Sequence, residues 1–281
     1  MPPADPPGPG NPPHLVLSHH SVRHASFEER VAAAAAAGFD AVGLNLRAYR
    51  QMRAAGTTDA DMAEVLDRHG QRLEEVEALA GWAGSPESRA RAGTAEELAH
   101  HLADTLDVRY LQAIGPYEGG LDDAAEAFAG VCDRAAEHGL VVGLEFLPFT
   151  NIPDVTTALA IVDQAGRPNG GLCVDAWHFF RGTPDWDALA AVPGARVFDL
   201  QLDDGTIVAE HPDYLEDTLS NRRLPGEGEF DLVRLLRALD DIGADAPISV
   251  EVISTELDAL PPAEVAARLV EATHRVLASA S

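Results

Sequence analysis

Lysine is absent from this 281-residue chain: all 20 basic side chains are arginine. Schiff-base aldolase chemistry, which needs a lysine amine, is therefore excluded, and so is a phosphate-binding P-loop. Cysteine is almost absent. Cys132 and Cys173 are too few for a disulfide framework. Falling in a predicted helix and a predicted strand, they read as buried free thiols of a reducing cytosol, so the expected location is cytoplasmic. No apolar run approaches the length of a membrane span, which takes about 20 residues. Positive charge is scarce, with 46 acids against 20 arginines and a formal net charge of −26. That balance excludes nucleic acid and anionic membrane as partners, because both are held through cationic contacts. The opening MPPADPPGPGNPP has neither a positive nor an apolar segment and is not a secretory signal; residues 1–13 read as a disordered Pro-rich tail.

From residue 14 onward, short β-branched runs alternate with helical patterns. HLVLSHHS, FDAVGLNL, RLEEVEAL, VRYLQAIG, LVVGLEFLP, GLCVDAWH, ARVFDLQLDD and PISVEVIS read as strands. Between and after them come eight helical stretches. The first, SFEERVAAAAAAG, has Ser26 as N-cap, Glu29 three residues later, and Gly38 as terminator. Strict alternation implies parallel strands joined by right-handed crossovers. Eight such units predict an α/β fold, a single-domain (β/α)8 TIM barrel over residues 14–281. A doubly wound open sheet is the competing architecture, but no GxGxxG follows the first strand. One connection is long, residues 203–229 between strand 7 and its helix. In a barrel it lies over the C-terminal face, where active sites sit, and it reads as a substrate lid.

Four polar residues end four of the hydrophobic runs: Glu145, Asp175, Gln201 and Glu251. Burying a carboxylate or amide in a strand is costly unless something satisfies it. Four on successive strands, converging on one rim, make a divalent-metal site. Oxygen-only ligation favours Mg²⁺ or Mn²⁺, with Co²⁺ and Zn²⁺ as further options. His178, three residues after Asp175, reads as a substrate or proton-relay histidine. Asp204 is a candidate for orienting the metal shell or touching substrate, while Asp203 reads as solvated. Arg223 is the preferred anion- or enolate-binding arginine over Arg222. Arg47 and Glu77 are taken to end strands 2 and 3 and to face the same mouth, as does His20. His19, His24 and His211 read as a scattered polar rim rather than a second metal. Trp82, Trp177 and Trp186 read as packing residues, with Trp177 also available to wall the pocket.

These motifs resemble the xylose isomerase-like TIM barrels of the sugar phosphate isomerase/epimerase superfamily, over nearly everything after the tail. The shared pattern is Glu145 ending strand 5, Asp175-x-x-His178, Gln201 followed by Asp204, Arg223 before Pro225–Gly228, and Glu251 ending strand 8. Epimerases of the group carry His at the strand-7 ligand; Gln201 and QLDDG look instead like bacterial 3-dehydroshikimate dehydratases. The resemblance implies metal-assisted proton abstraction beside a carbonyl of a keto-sugar, cyclitol or similar polyhydroxy ketone, with Glu145 or Glu251 as base. Epimerisation, isomerisation or dehydration would follow, and 3-dehydroshikimate dehydration is the specific alternative. It also implies a homo-oligomer as an option. Two other classes compete. Phosphodiester hydrolysis, as in endonuclease IV barrels, wants a His-rich multi-metal site and a basic groove. A non-catalytic sugar-binding or partner subunit should have lost a ligand.

Overall fold

The structure is a computed structural model describing residues 13–281; the expected tail, apart from Pro13, lies outside the described residues. Eight strands close into one all-parallel barrel in sequence order. They are β1 (Leu15–Leu17), β2 (Ala41–Asn45), β3 (Leu73–Ala80), β4 (Tyr110–Ile114), β5 (Val141–Glu145), β6 (Gly170–Asp175), β7 (Val197–Leu202) and β8 (Ile248–Val250). β8 pairs with β1 through Leu15↔Ile248 and Leu17↔Val250, which completes the closure.

The helices are α1 (Phe27–Ala37), α2 (Leu46–Ala54), α3 (Asp59–His69), α4 (Pro86–Leu106), α5 (Leu121–Ala136), α6 (Val155–Ala165), α7 (Ala176–Arg181), α8 (Trp186–Ala190), α9 (Tyr214–Thr218), α10 (Leu232–Asp241) and α11 (Pro262–Ala280). α1 begins with the expected capping box, Ser26 with Glu29, and ends at Gly38 in the left-handed conformation. Its alanine-rich body lets it pack closely on α11, joining the first and last helices of the ring. Eight helices follow the expected alternation. Three more, α2, α7 and α9, follow β2, β6 and β7 on the C-terminal side. Two of them start where a strand ends on a capping side chain: Asn45 accepts from the Arg47 and Ala48 amides, and Asp175 from the His178 amide. α4 begins at Pro86, before the expected TAEELAHH stretch, because Ser85 caps it and proline suits a first turn.

The barrel interior is not the usual packing of branched aliphatics. With side chains alternating along each strand, β3 contributes Glu75 and Glu77, and β4 Tyr110 and Gln112. β6 adds Cys173 and Asp175, β7 Asp199 and Gln201, and β8 Ser249. Hydrogen bonds spanning the lumen confirm that these face inward: Ser249 Oγ donates to Glu75 Oε1 at 2.8 Å, and Gln112 Nε2 to Glu145 Oε2 at 2.9 Å. Gly43 and Gly143 make room for this layer; a Cβ at either would strike Glu75 or Tyr110. Deep in the lumen, burial pushes Asp199 up to about 8. Burial and the Asp199 charge hold Glu75 well above the carboxylate range. The aliphatic core lies outside the lumen, between strands and helices, and includes Val42, Leu44, Val142, Leu144, Phe128 and Ile161.

Candidate active site

The inward-facing residues nearest the C-terminal rim form one acidic centre. Asp175 and Gln201 are direct neighbours in register. Glu145 ends β5, and Glu251 follows β8. All four are buried, as is Glu77. The centre also holds Asp203, fully buried, against the expectation that it is solvated. β7 continues inward-outward alternation past Leu202, so Asp203 is carried beneath the lid rather than into solvent.

Three of the five carboxylates, Asp175, Asp203 and Glu251, share one buried cation, Arg222. Its Nη1 donates to Asp175 Oδ2 at 2.9 Å and to Glu251 Oε2 at 3.2 Å, and it also pairs with Asp203. Burial opposes the guanidinium charge, but Asp175, Asp203 and Glu251 outweigh it and hold the pKa above the arginine range. Burial alone would raise Asp175, yet Arg222 and then His178 pull it below the usual carboxylate value. Glu145 goes the other way: burial, then the charges of Asp175 and Glu251, push it well above that range. Burial and Glu251 do the same to Glu77, and burial and Asp175 to Asp203. The centre thus carries more acid than its arginine neutralises. That excess is relieved by protons or by a bound cation.

The donor chemistry fits a cation. One end of the Gln201 amide lies 3.2 Å from both Asp175 Oδ2 and Glu145 Oε1, and the other end 3.2 Å from Gln112 Nε2. With nitrogen toward the acids, Gln201 donates two hydrogen bonds; with oxygen there, it completes an oxygen set for a metal. Ligand atoms of Glu145, Asp175 and His178 lie within 4.8 Å of one another.

His178 is buried one turn into α7. Its Nδ1 sits 3.0 Å from Tyr214 Oη on α9, and its Nε2 sits 3.5 Å from Glu145 Oε1 and 3.7 Å from Asp175 Oδ2. A tyrosine hydroxyl donating to Nδ1 leaves the proton on Nε2, aimed at the acids. Burial lowers the imidazole to about 4, so it is neutral at ordinary pH.

The lid separates the two arginines differently from expectation. Residues 220–223 run extended between the end of β7 and residues 253–255: Asp204 and Arg223 exchange backbone hydrogen bonds, and the Arg222 amide donates to Ile253 O at 3.1 Å. Alternation along this segment turns Arg222 into the barrel and Arg223 outward, where it pairs with Glu210 at 2.7 Å. The arginine of the site is therefore Arg222, not Arg223. Asp204 is likewise corrected. Its oxygens accept from the amides of Gly205 (2.7 Å), Gly226 (2.9 Å) and Phe230 (3.0 Å), so it pins the PGEG turn instead of facing the centre. Arg47 does not end β2; that strand ends at Asn45, and Arg47 is exposed on α2.

Glu77 and His20 do face the centre, with Glu77 Oε1 3.9 Å from His20 Nε2. Asn45 Nδ2 lies 3.5 Å from the same nitrogen. His19 is buried edge-on against the His20 ring, with centroids 5.5 Å apart, His24 is near Asp258 at 3.4 Å, and His211 is engaged in a turn with Asp213. Trp177 is buried under the lid, its Nε1 donating to Thr218 Oγ1 at 2.9 Å, with Arg222 stacked 5.7 Å above its ring. Trp82 packs on Phe128 and Trp186 on Phe179.

Sequence reasoning missed Gln112, Ser18, Asp203 and Tyr214. Gln112 carried the same signal as the metal candidates, a polar residue inside the hydrophobic run VRYLQAIG. Ser18 Oγ donates to Glu251 Oε1 at 3.1 Å, and nothing in HLVLSHHS marked it.

Among proteins of known type, a family description, the xylose isomerase-like TIM barrel, matches residues 31–275. An inosose isomerase of Bacillus velezensis is 31% identical over 157 residues, which is 55% of this chain and 54% of that protein. A 3-dehydroshikimate dehydratase of Pseudomonas aeruginosa is 31% identical over 138 residues, 49% of this chain and 22% of that one. The chain thus spans about half, or less, of the length of these curated relatives. The crystal structure of the IolI protein with a bound zinc atom superposes with a TM-score of 0.87 at 21% identity, covering 95% of this chain and 99% of that one.

Proposed function

The chain belongs to the xylose isomerase-like TIM barrel family, and on that premise we propose that it is a divalent-metal-dependent enzyme acting on a polyhydroxy ketone. The reaction is proton abstraction beside the carbonyl, ending in isomerisation, epimerisation or dehydration. The observation that carries this reading is the buried centre itself, where five carboxylates and Gln201 gather and three of the carboxylates pair with Arg222. The inosose isomerase and dehydratase relatives support the reaction type.

Glu145, Asp175, Gln201 and Glu251 would hold the cation, of which Mg²⁺ and Mn²⁺ best suit the all-oxygen set. Bound there, it would supply Lewis-acid polarisation of the carbonyl and charge stabilisation for the enolate. The protein's own groups handle the protons. Glu145 or Glu251 takes the α-proton as general base. Return of a proton to the opposite face inverts the carbon; loss of a β-hydroxyl with a proton releases water and leaves an alkene. His178 donates from Nε2 to a substrate oxygen, held in that tautomer by Tyr214. Arg222 binds developing negative charge. His20 and Glu77 face the substrate from the β1–β3 side.

Four paired arginines around the centre favour a neutral substrate. Arg222 is committed to the acids, Arg223 to Glu210, Arg181 to Asp217, and Arg23 to Asp258. A keto-cyclitol such as an inosose, or a ketose, meets no demand for a further cation. One observation favours the second reading, 3-dehydroshikimate dehydration: Gln201 at the β7 position.

A metal-replete assay of scyllo-inosose, a neutral ketose and 3-dehydroshikimate, each with an EDTA-treated control, tests both. EDTA-sensitive conversion of a neutral substrate is the expected result. Protocatechuate absorbance from 3-dehydroshikimate alone would assign the second reading. Conversion unchanged by EDTA would sink the metal-dependent mechanism.

A further inference from the structure

The large hydrophobic side chains left exposed among the described residues are Phe149, Ile207, Val208, Leu215 and Leu219. Apolar residues scattered singly over a surface need no explanation, but a group gathered in one place marks a binding face. These are gathered. Phe149 lies on the loop after β5, and the other four lie on the lid after β7. Both loops belong to the C-terminal rim. Among the described residues, the opposite end and the flanks of the barrel expose none.

The three pieces of this rim meet over α7, the helix that carries His178. The Phe149 ring packs on Tyr214 with centroids 5.4 Å apart and stands edge-on to His178 at 6.3 Å, yet it is 49% exposed. Arg181, three residues past His178, donates to the carbonyls of Thr206 at 2.8 Å and Ile207 at 3.2 Å, which ties the lid tip to the end of the same helix. Leu215 and Leu219 stand one turn apart on α9, the Leu219 amide donating to Leu215 O at 3.0 Å, and so share a face.

We infer that this rim is a subsite for an apolar substituent on the substrate. The polyhydroxy ketone points inward to the acids, and an aryl or alkyl group that it carries rests on Phe149 and the lid. The inference rests on the proposed function, which it deepens from a free ketose or cyclitol to one bearing such a group. Two features select this occupant over a second copy of the chain. The apolar rim is continuous with the centre, because Phe149 packs on the same Tyr214 whose hydroxyl meets His178 Nδ1 at 3.0 Å. A second copy would also bring another net charge of −26 against the exposed Glu210, Asp213 and Glu216 of the lid. A neutral substituent meets no such repulsion.

The test compares kcat/KM of metal-replete protein for scyllo-inosose and D-fructose, each free and as the mono-O-benzyl ether at the carbon farthest from the carbonyl. At least one ether should exceed its parent by about tenfold, with the gain in KM. Phe149→Ser and Val208→Ser should bring that ratio back towards one. Val208 is 77% exposed, so its replacement keeps the test valid where Phe149→Ser does not fold. Ethers no better than their parents overturn the subsite and leave the proposed function standing. A preference for an ether that both variants leave unchanged puts the substituent elsewhere and overturns the assignment. Sedimentation velocity at assay concentration addresses the other occupant. A wild-type dimer that Val208→Ser or Leu215→Ser dissociates would mean that a second copy covers this face, and would overturn the inference. Conversion of none of the four compounds removes the neutral-ketone reading, and this inference with it.

Discussion

Arg222 and Arg223 are adjacent, equal in charge and opposite in fate. Nothing in NRRLPGEG distinguishes them; the distinction comes from the extended pairing of residues 220–223 with Asp204 and with 253–255. Removing Arg222 leaves Asp175, Asp203 and Glu251 buried without their counter-charge, which costs about 3–5 kcal/mol in comparable sites. Thermal unfolding should therefore show Arg222→Gln strongly destabilised. Arg223→Gln breaks a half-exposed pair with Glu210 and should change stability by less than about 1 kcal/mol. Equal losses would contradict the assignment. Asp199 offers a second test. Its folded pKa, about 8, stands above the 3.8 of an unstructured chain because burial favours the neutral acid. The folded state then holds a proton that the unfolded state releases above pH 4. Stability from this group is present at low pH and lost as pH rises toward 8, by at most about 1.4 kcal/mol per unit. Asp199→Asn, which mimics the protonated acid, should flatten that slope in unfolding midpoints compared between pH 5 and 8. A slope identical to wild type would show that Asp199 is ionised in the fold. The four strand-end polar residues were legible because a lone acid in a β-branched run has no structural reason to be there. Asp203 and Asp204 were not, because which of two consecutive acids faces the lumen depends on where the strand ends.

At the scale of elements, the alternation of strands and helices was readable throughout, since period-2 and helical patterns separate cleanly between turn residues. The three added helices were not. α2, α7 and α9 run only nine, six and five residues, too short for periodicity to declare itself, and their starts depend on single caps at Asn45, Asp175 and Asp213. α9 is the consequential one. It delivers Tyr214 from the lid to His178 Nδ1, and its ring stacks with that imidazole at 6.1 Å. Tyr214→Phe keeps the stacking and deletes the hydroxyl. Partners that fix a histidine's orientation and tautomer are typically worth 10–100-fold, so kcat should fall by about that factor while bound metal per chain stays the same. A fall in metal content with no separate effect on kcat would make Tyr214 a purely structural support.

The molecule as a whole is strongly anionic, and the acidic centre lies inside that field. A net charge of −26 repels anionic substrates over distances of a Debye length, about 8 Å at physiological ionic strength. For a carboxylate substrate, added inert salt should raise kcat/KM; for a neutral keto-cyclitol it should have little effect. Steady-state kinetics from low to moderate salt checks this, and a carboxylate substrate insensitive to salt would mean a locally cationic entrance. The charge was countable from the sequence, but the pairing of arginines around the centre was not, because Arg181, Arg222 and Arg223 find their acids only through the lid's path. That path has one more implication. Asp204 gathers the amides on either side of the lid's base, and the Asp204–Arg223 bridge closes it there. The stretch from 206 to 213 hangs beyond this clasp with Ile207 and Val208 turned to solvent. Lengthening a loop already closed at its root adds little entropic cost, roughly 0.6 kcal/mol per doubling. Substitutions and insertions confined to those few positions should therefore leave the fold intact, because the clasp holds the acidic centre independently of them.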